Sequence, residues 1–439
     1  MGGHAGRAAI VAVCVAAAAG IGFAGYGLYA RAHRFDSEAD KLGERLSAFR
    51  RAGLPWVEAD LPMPHPAPEL DAAPDLEELV GRTKAFDSKT MAAAMRERLT
   101  GSDFEGISQR LLVTNDAIAA AERAATKGSA HLPLEWSAGP TDGFRHGEPI
   151  LHTLRALGIH AEFAVKSLRP ERAIKLYKVG WTVARMPLDQ PRAATVIAAC
   201  QGEHLIIDSI CMAAPRLLGD TETLLALQSI VAQPLPADTL SRAMQGQVLL
   251  SVAGARNLSV WEVAKGAPGV GKLLAKGVPP DVRSRAVMSA LLKFWTDNAP
   301  LVMSTSSSPW NVCRVLQERS ASLGATPGGE VALPLLPNWS AMAAALAEAE
   351  SRRRCATALL KVVMDQAVTG RWPGTLEDAG ITLTDPFDAN GPLKLKVSET
   401  TITVYSVGPD GIDDGGREAD ATTPNATHDI SATVLLPQE

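Results

Sequence analysis

Residues 150–187 read ILHTLRALGIHAEFAVKSLRPERAIKLYKVGWTVARMP. Ile150, Leu151, Leu154, Leu157, Ala161, Ala164 and Val165 recur at three- and four-residue spacing and form one stripe, the pattern of an amphipathic helix. Arg169-Pro170-Glu171 ends that helix and begins the next, because proline suits a first helical turn and not an interior. A second stripe of Ala173, Ile174, Tyr177, Val179, Trp181 and Ala184 runs to Pro187. Two stripes joined so tightly predict an antiparallel helix pair.

The same spacing extends on both sides of the pair. It predicts further helices at 191–215, 219–232, 237–257, 280–298 and 309–322. No fixed period recurs, so a stacked-repeat architecture is not expected. Residues 76–338 read as an irregular α-helical domain, and the fold class as mainly α.

Ahead of this domain, Ala8 to Ala30 holds 23 residues without a charge, between Arg7 and the pair Arg31 and Arg34. A helix of that length spans about 34 Å, enough for the hydrocarbon core of a bilayer. Tyr26 and Tyr29 stand near its end, where interfacial aromatics lie. The sequence is read as a seven-residue tail and a transmembrane anchor at 8–30, with the bulk of the chain outside a bacterial inner membrane. The alternative is secretion after signal cleavage, although the A-x-A pattern falls inside the apolar run (Ala16 to Ala19). Residues 31–75 then form a juxtamembrane helix and a linker with prolines at 55, 62, 64, 66, 68 and 74, expected to be extended and semi-rigid.

The C-terminal stretch, 339–439, changes character. A long Ala-rich helix from about Ser340 to Val368 ends at Gly370-Arg371-Trp372-Pro373. Leu393–Val397 and Thr401–Tyr405 alternate as strands, and Ser398-Glu399-Thr400 turns the chain between them. Apolar residues at 393, 395, 397, 402, 404 and 407 are expected to face the long helix, giving a small α+β unit.

Asp410, Asp413, Asp414, Asp420 and Asp429 follow, in a stretch that also holds Gly408, Gly411, Gly415 and Gly416. Calcium takes six to eight oxygen ligands from carboxylates, carbonyls and water, and glycines let carbonyls turn inward. The spacing is not that of an EF-hand, and a solvated acidic loop is the competing reading. Residues 408–439 carry seven acids against one base, while the whole chain is only −5. The acidity is therefore a property of this loop and tail.

The long helix, Gly370-Arg371-Trp372-Pro373-x-x-Leu376, Asp385-Pro386-Phe387, Gly391-Pro392-Leu393, Tyr405-Ser406-Val407-Gly408-Pro409-Asp410-Gly411 and Asp429-Ile430 together resemble the globular part of type II secretion major pseudopilins. About a quarter of the chain is covered. The resemblance implies a structural calcium held by Asp410, Asp429 and the carbonyl of Val407, with Asp413 and Asp414 as further ligands. It also implies a structural role among protein partners in a secretion or envelope assembly. The chain departs from the family in a longer insert, Ile412 to Thr427, and in His428, which stands where a carboxylate is common. Gly22-Phe23 lies deep in the apolar run, and Gly27 occupies the fifth position where a pilin subunit carries Glu. An atypical pseudopilin, processed next to Gly22, is one alternative function.

The other alternative is an enzyme with a site in the His146, Glu148, His152, His160 and Glu162 group, although H-E-x-x-H is not formed. Gly266–Leu273 nearly matches a phosphate-binding loop, but Leu273 replaces the Mg²⁺-binding hydroxyl and Pro279-Pro280 would cut the helix that must follow. No nucleotide is expected. Nucleic acid is not expected either: 43 basic against 48 acidic residues leave no basic surface, and 5% aromatics offer few stacking platforms. Five scattered cysteines form no C-x-x-C pair. The tryptophans are read as core or interface anchors.

Overall fold

The computed structural model describes residues 30, 32–61, 63, 66–83, 112–131, 144–257, 279–305, 308–388, 391–417 and 428–436. The expected anchor, apart from Ala30, lies outside the described residues, as do the loop at 266–273 and Asp420. The chain is mainly helical and ends in a three-stranded antiparallel sheet.

Among the helices of the described residues are α1 (Leu42–Arg51), α2 (Ala73–Thr83), α3 (Asn115–Lys127), α4 (Gly147–Lys166), α5 (Pro170–Arg185), α6 (Ala193–Ala213), α7 (Thr221–Val231), α8 (Thr239–Asn257), α9 (Pro280–Asp297), α10 (Pro309–Leu323) and α11 (Trp339–Thr369). The helix pair read from 150–187 is α4 and α5, and proline opens α5. Leu168 between them takes a positive φ of 57°, an uncommon backbone for a branched side chain. Helices α4, α5 and α6 pack closely because glycines stand at the crossings. A Cβ at Gly202 would meet Leu154 Cδ1 at 2.8 Å and Ala184 Cβ at 3.0 Å.

Two apolar cores result. One gathers α2 to α7, the C-terminal half of α11 and the sheet, with Leu154, Tyr177, Ile206, Leu359, Ile402 and Val434 buried in it. The other gathers α1, α8, α9 and α10 around Trp295 and Trp339, whose rings meet edge to face at 5.9 Å. Helix α11 belongs to both: Trp339 to Ala349 enter the second core, and Cys355 to Met364 the first. Helix α6 is divided in the same way. Among the described residues, Ala193–Leu217 is long and apolar enough to cross a membrane, yet it is mostly buried in the bundle.

The segment expected to carry the chain off a membrane packs against this bundle. Phe35 and Ala39 are buried against Val282 and Ala286, and Ser289 Oγ donates to Glu38 Oε1 at 2.9 Å. The proline-rich stretch is not wholly extended, since 3₁₀ turns form at Glu58–Asp60 and Pro68–Leu70.

The sheet runs β1 (Lys394–Val397), β2 (Thr401–Ser406) and β3 (Ile430–Leu435), with β2 central. Strand β3 was not expected from the sequence. Ile402 pairs with Val434 and Val404 with Ala432, so the buried face of β2 continues across β3 toward α11. Leu393, Ile402, Val404 and Val407 are buried as expected. Val397 is not: it is 44% exposed, at the end of the edge strand β1.

Candidate functional site: the acidic loop beside the sheet

Between β2 and β3 the chain makes the acidic loop, whose ends are fixed by named contacts. Asp385 is buried and fully engaged. Its Oδ1 accepts from Ser406 Oγ at 2.6 Å and from the Phe387 amide at 2.9 Å, and its Oδ2 accepts from the Val407 amide at 2.9 Å. This carboxylate anchors the end of β2 and so places the start of the loop. Gly408 follows at φ 70°, and a Cβ there would stand 2.1 Å from the His428 carbonyl oxygen. Only glycine allows that approach and that backbone, and the approach brings the loop's first turn against residues 428 and 429.

Asp429 stands at the centre. It is fully buried, and its Oδ2 accepts from the Gly416 amide at 2.6 Å. Its Oδ1 is buried and accepts nothing among the described residues. Asp410 shows the same asymmetry: Oδ1 accepts from the Ile412 amide at 3.1 Å, and Oδ2 is buried without a partner among the described residues. Buried carboxylate oxygens are rarely left unpaired, because the desolvation is uncompensated. Burial pushes the Asp429 carboxyl above the usual carboxylate range, against the opposing pull of the Gly416 and Asp414 amides. Asp413 and Asp414 add charge of the same sign and push it the same way.

Asp413 is occupied differently. It is exposed, its Oδ2 pairs with Lys394 Nζ at 2.6 Å, and its Oδ1 accepts from the Gly415 amide at 3.0 Å. Lys394 holds its carboxyl below the usual range. Burial and the neighbouring Asp413 push the Tyr405 phenol up to about 12. Asp414 is half-buried. Of the five positions expected to ligate a metal, then, Asp410 and Asp429 carry unmatched oxygens, Asp413 is tied to a lysine, and Val407 is held through its amide. Among the described residues no three His, Cys, Asp or Glu side chains converge on one point.

The His/Glu group on α4 does not assemble. His146 Nε2 meets Glu77 Oε1 at 2.9 Å, His152 lies 3.7 Å from Glu148, and His160 Nε2 bonds Thr114 Oγ1 at 2.8 Å. Glu162 accepts from Ser209 Oγ at 2.6 Å inside the core. His146, His160 and Glu162 are drawn to three different neighbouring elements, which the linear spacing does not reveal, while His152 and Glu148 face each other one turn apart on α4.

Sequence reading also passed over the densest charge network. Glu203 is fully buried on α6, and its two oxygens accept from Arg185 Nε and Arg353 Nη1, each at 2.6 Å. Glu350 then accepts from Arg353 Nη2 at 2.6 Å and Arg354 Nε at 2.8 Å. The available signal was the run Glu350-Ser-Arg-Arg-Arg354 inside an otherwise apolar helix. No family model, curated protein or solved structure matches this chain.

Proposed function

We propose that the chain is a membrane-anchored, non-enzymatic protein whose pseudopilin-like C-terminal unit is stapled by calcium and serves as a structural or interaction part of a secretion or envelope assembly. The observation that supports this reading is the pair of buried, unmatched carboxylate oxygens on Asp410 and Asp429, at either end of one glycine-rich loop. A hard divalent cation is the partner such oxygens lack, and it would offset the charge that burial disfavours on Asp429. Asp410, Asp429 and the Val407 carbonyl would hold it, with Asp414 near. Lys394 already takes Asp413, and Asp385 organises the loop without being a ligand. Calcium bound only to the folded chain adds stability by mass action. The anchor at 8–30 rests on the sequence pattern, and the assembly partner on the resemblance.

The experiment is thermal unfolding of the full chain with calcium and with chelator. The whole chain is needed, because α11 is buried by helices of both cores and an isolated C-terminal piece would expose that surface. The expected result is a higher midpoint with calcium, lost in Asp429→Asn and in Asp410→Asn. An identical midpoint in both conditions would overturn the calcium reading.

A further inference from the structure

Trp56 carries two guanidinium groups over its ring. The Arg256 Cζ stands 3.7 Å from the ring centroid and the Arg50 Cζ 5.8 Å. Arg50 lies in the last turn of α1 and Arg256 in the last turn of α8, so two helices far apart in sequence end on one side chain. The ring itself is fixed. It meets the buried Phe49 edge to face at 5.8 Å, at the border of the second core, and the Trp56 amide donates to Asp60 Oδ2 at 2.7 Å. Core and turn thus set the platform, and cation–π attraction holds both charges on it without using their N–H donors.

Three observations favour an anion here. First, both arginines are exposed, and neither makes an ion pair or a side-chain hydrogen bond among the described residues. Second, they are close. Both distances run to one centroid, so the charges lie within about 10 Å of each other, a screening length at 0.1 M salt. Third, they repel. Burial, and after it the Arg50 charge, hold the Arg256 guanidinium below its ordinary range. The carboxylates nearest in sequence are Glu58 and Asp60, both exposed. Asp60 accepts from the Trp56 and Val57 amides, and neither acid pairs with an arginine among the described residues. Arg51 adds to Arg50, so one positive charge remains even when both acids are set against the three arginines. The C-terminal ends of α1 and α8 favour cations, yet each carries only about half an elementary charge. Neither end accounts for two guanidiniums on one ring.

We propose that Arg50 and Arg256 together clamp a phosphate group beside Trp56. A carboxylate has two oxygens and is satisfied by one guanidinium fork, whereas a phosphate monoester has three free oxygens and accepts forks from two sides. The bound anion would also cancel the repulsion between the two arginines. A soluble phosphate ester and the headgroup of an anionic lipid offer the same chemistry. The proposal depends neither on the calcium site nor on the expected anchor.

The probe is glycerol 3-phosphate titrated calorimetrically into the purified full chain at low salt, beside acetate at the same ionic strength. The phosphate ester is expected to bind, and acetate to bind at least about tenfold more weakly, the size of one hydrogen bond to a charged group. Arg50→Gln and Arg256→Gln are each expected to weaken the ester about tenfold. Neither should lower the thermal unfolding midpoint, because each removes one of two repelling charges. Arg50, farther from the ring, supplies the readout if Arg256→Gln does lower it. Arg256→Lys keeps the charge without the planar fork and is expected to bind the ester more weakly than the unmodified chain. Dihexanoyl phosphatidic acid, below its micelle concentration, separates the sources. Tighter binding than glycerol 3-phosphate assigns the site to a lipid headgroup, and equal or weaker binding to a soluble ester. No binding of the ester at millimolar concentration, equal binding of acetate, or ester binding unchanged in Arg50→Gln and Arg256→Gln would each overturn the proposal.

Discussion

Arg353 on α11 donates to Glu203 on α6 at 2.6 Å, across 150 residues of sequence, where the two apolar cores meet. Both side chains are almost wholly shielded from solvent. Each helix contributes to both cores, so this bond fixes the register of the two long elements that hold the molecule together.

Removing one partner should therefore be severe. Glu203→Gln leaves Arg185 and Arg353 without their common carboxylate, and breaking a buried pair from one side costs roughly 3–5 kcal/mol. Urea unfolding should show that loss, and a change under about 1 kcal/mol would mean that the network is solvated. Replacing the whole network by apolar residues should cost less than Glu203→Gln, because no charge is left uncompensated.

Asp429 sets a pH dependence whose sign is fixed by burial. Its folded-state pKa is raised, so the native chain keeps the proton after the unfolded chain has released it. Stability contributed by this group is full below the unfolded value and is lost as pH rises through the folded one. In chelator, unfolding free energy should fall with rising pH from the ordinary carboxylate range upward, and Asp429→Asn should flatten that slope. Calcium should flatten it too, by compensating the ionised form. A slope identical in the variant would assign the dependence to other groups.

Gly408→Ala tests the close approach that shapes the loop. The new methyl would meet the His428 carbonyl, at a φ of 70° that disfavours any side chain. A destabilisation of about 1–3 kcal/mol is expected, together with loss of the calcium-dependent shift. An alanine variant that keeps both would show that the turn can move away from residue 428.

Gly202→Ala addresses the crossing of α4, α5 and α6. Its Cβ would lie 2.8 Å from Leu154 and 3.3 Å from the Ala184 Cα, and one of these neighbours is backbone. Overpacking of this kind costs about 1–3 kcal/mol, readable as a lower midpoint in thermal unfolding with unchanged helical circular dichroism.

The sequence by itself determined the helices. Apolar spacing and punctuation by Pro170, Pro280, Pro309 and Gly370 place α5, α9, α10 and the end of α11 within a few residues, because those signals are local. It also located the acidic loop and the β1–β2 hairpin. Strand β3 was missed because Ile430 to Leu435 lacks a local partner, and only pairing with Thr401–Ser406 makes it a strand. The sequence likewise gave no sign that Asp385 would satisfy both carboxylate oxygens while Asp410 and Asp429 each leave one unmatched. Nor could spacing show that His146 turns to Glu77 and His160 to Thr114. The tertiary structure decided those matters, and it alone joined Glu203 to Arg353 and brought Arg50 and Arg256 to Trp56. Helix periodicity is encoded within a few turns, whereas the pairing of a buried charge depends on which distant helix arrives beside it.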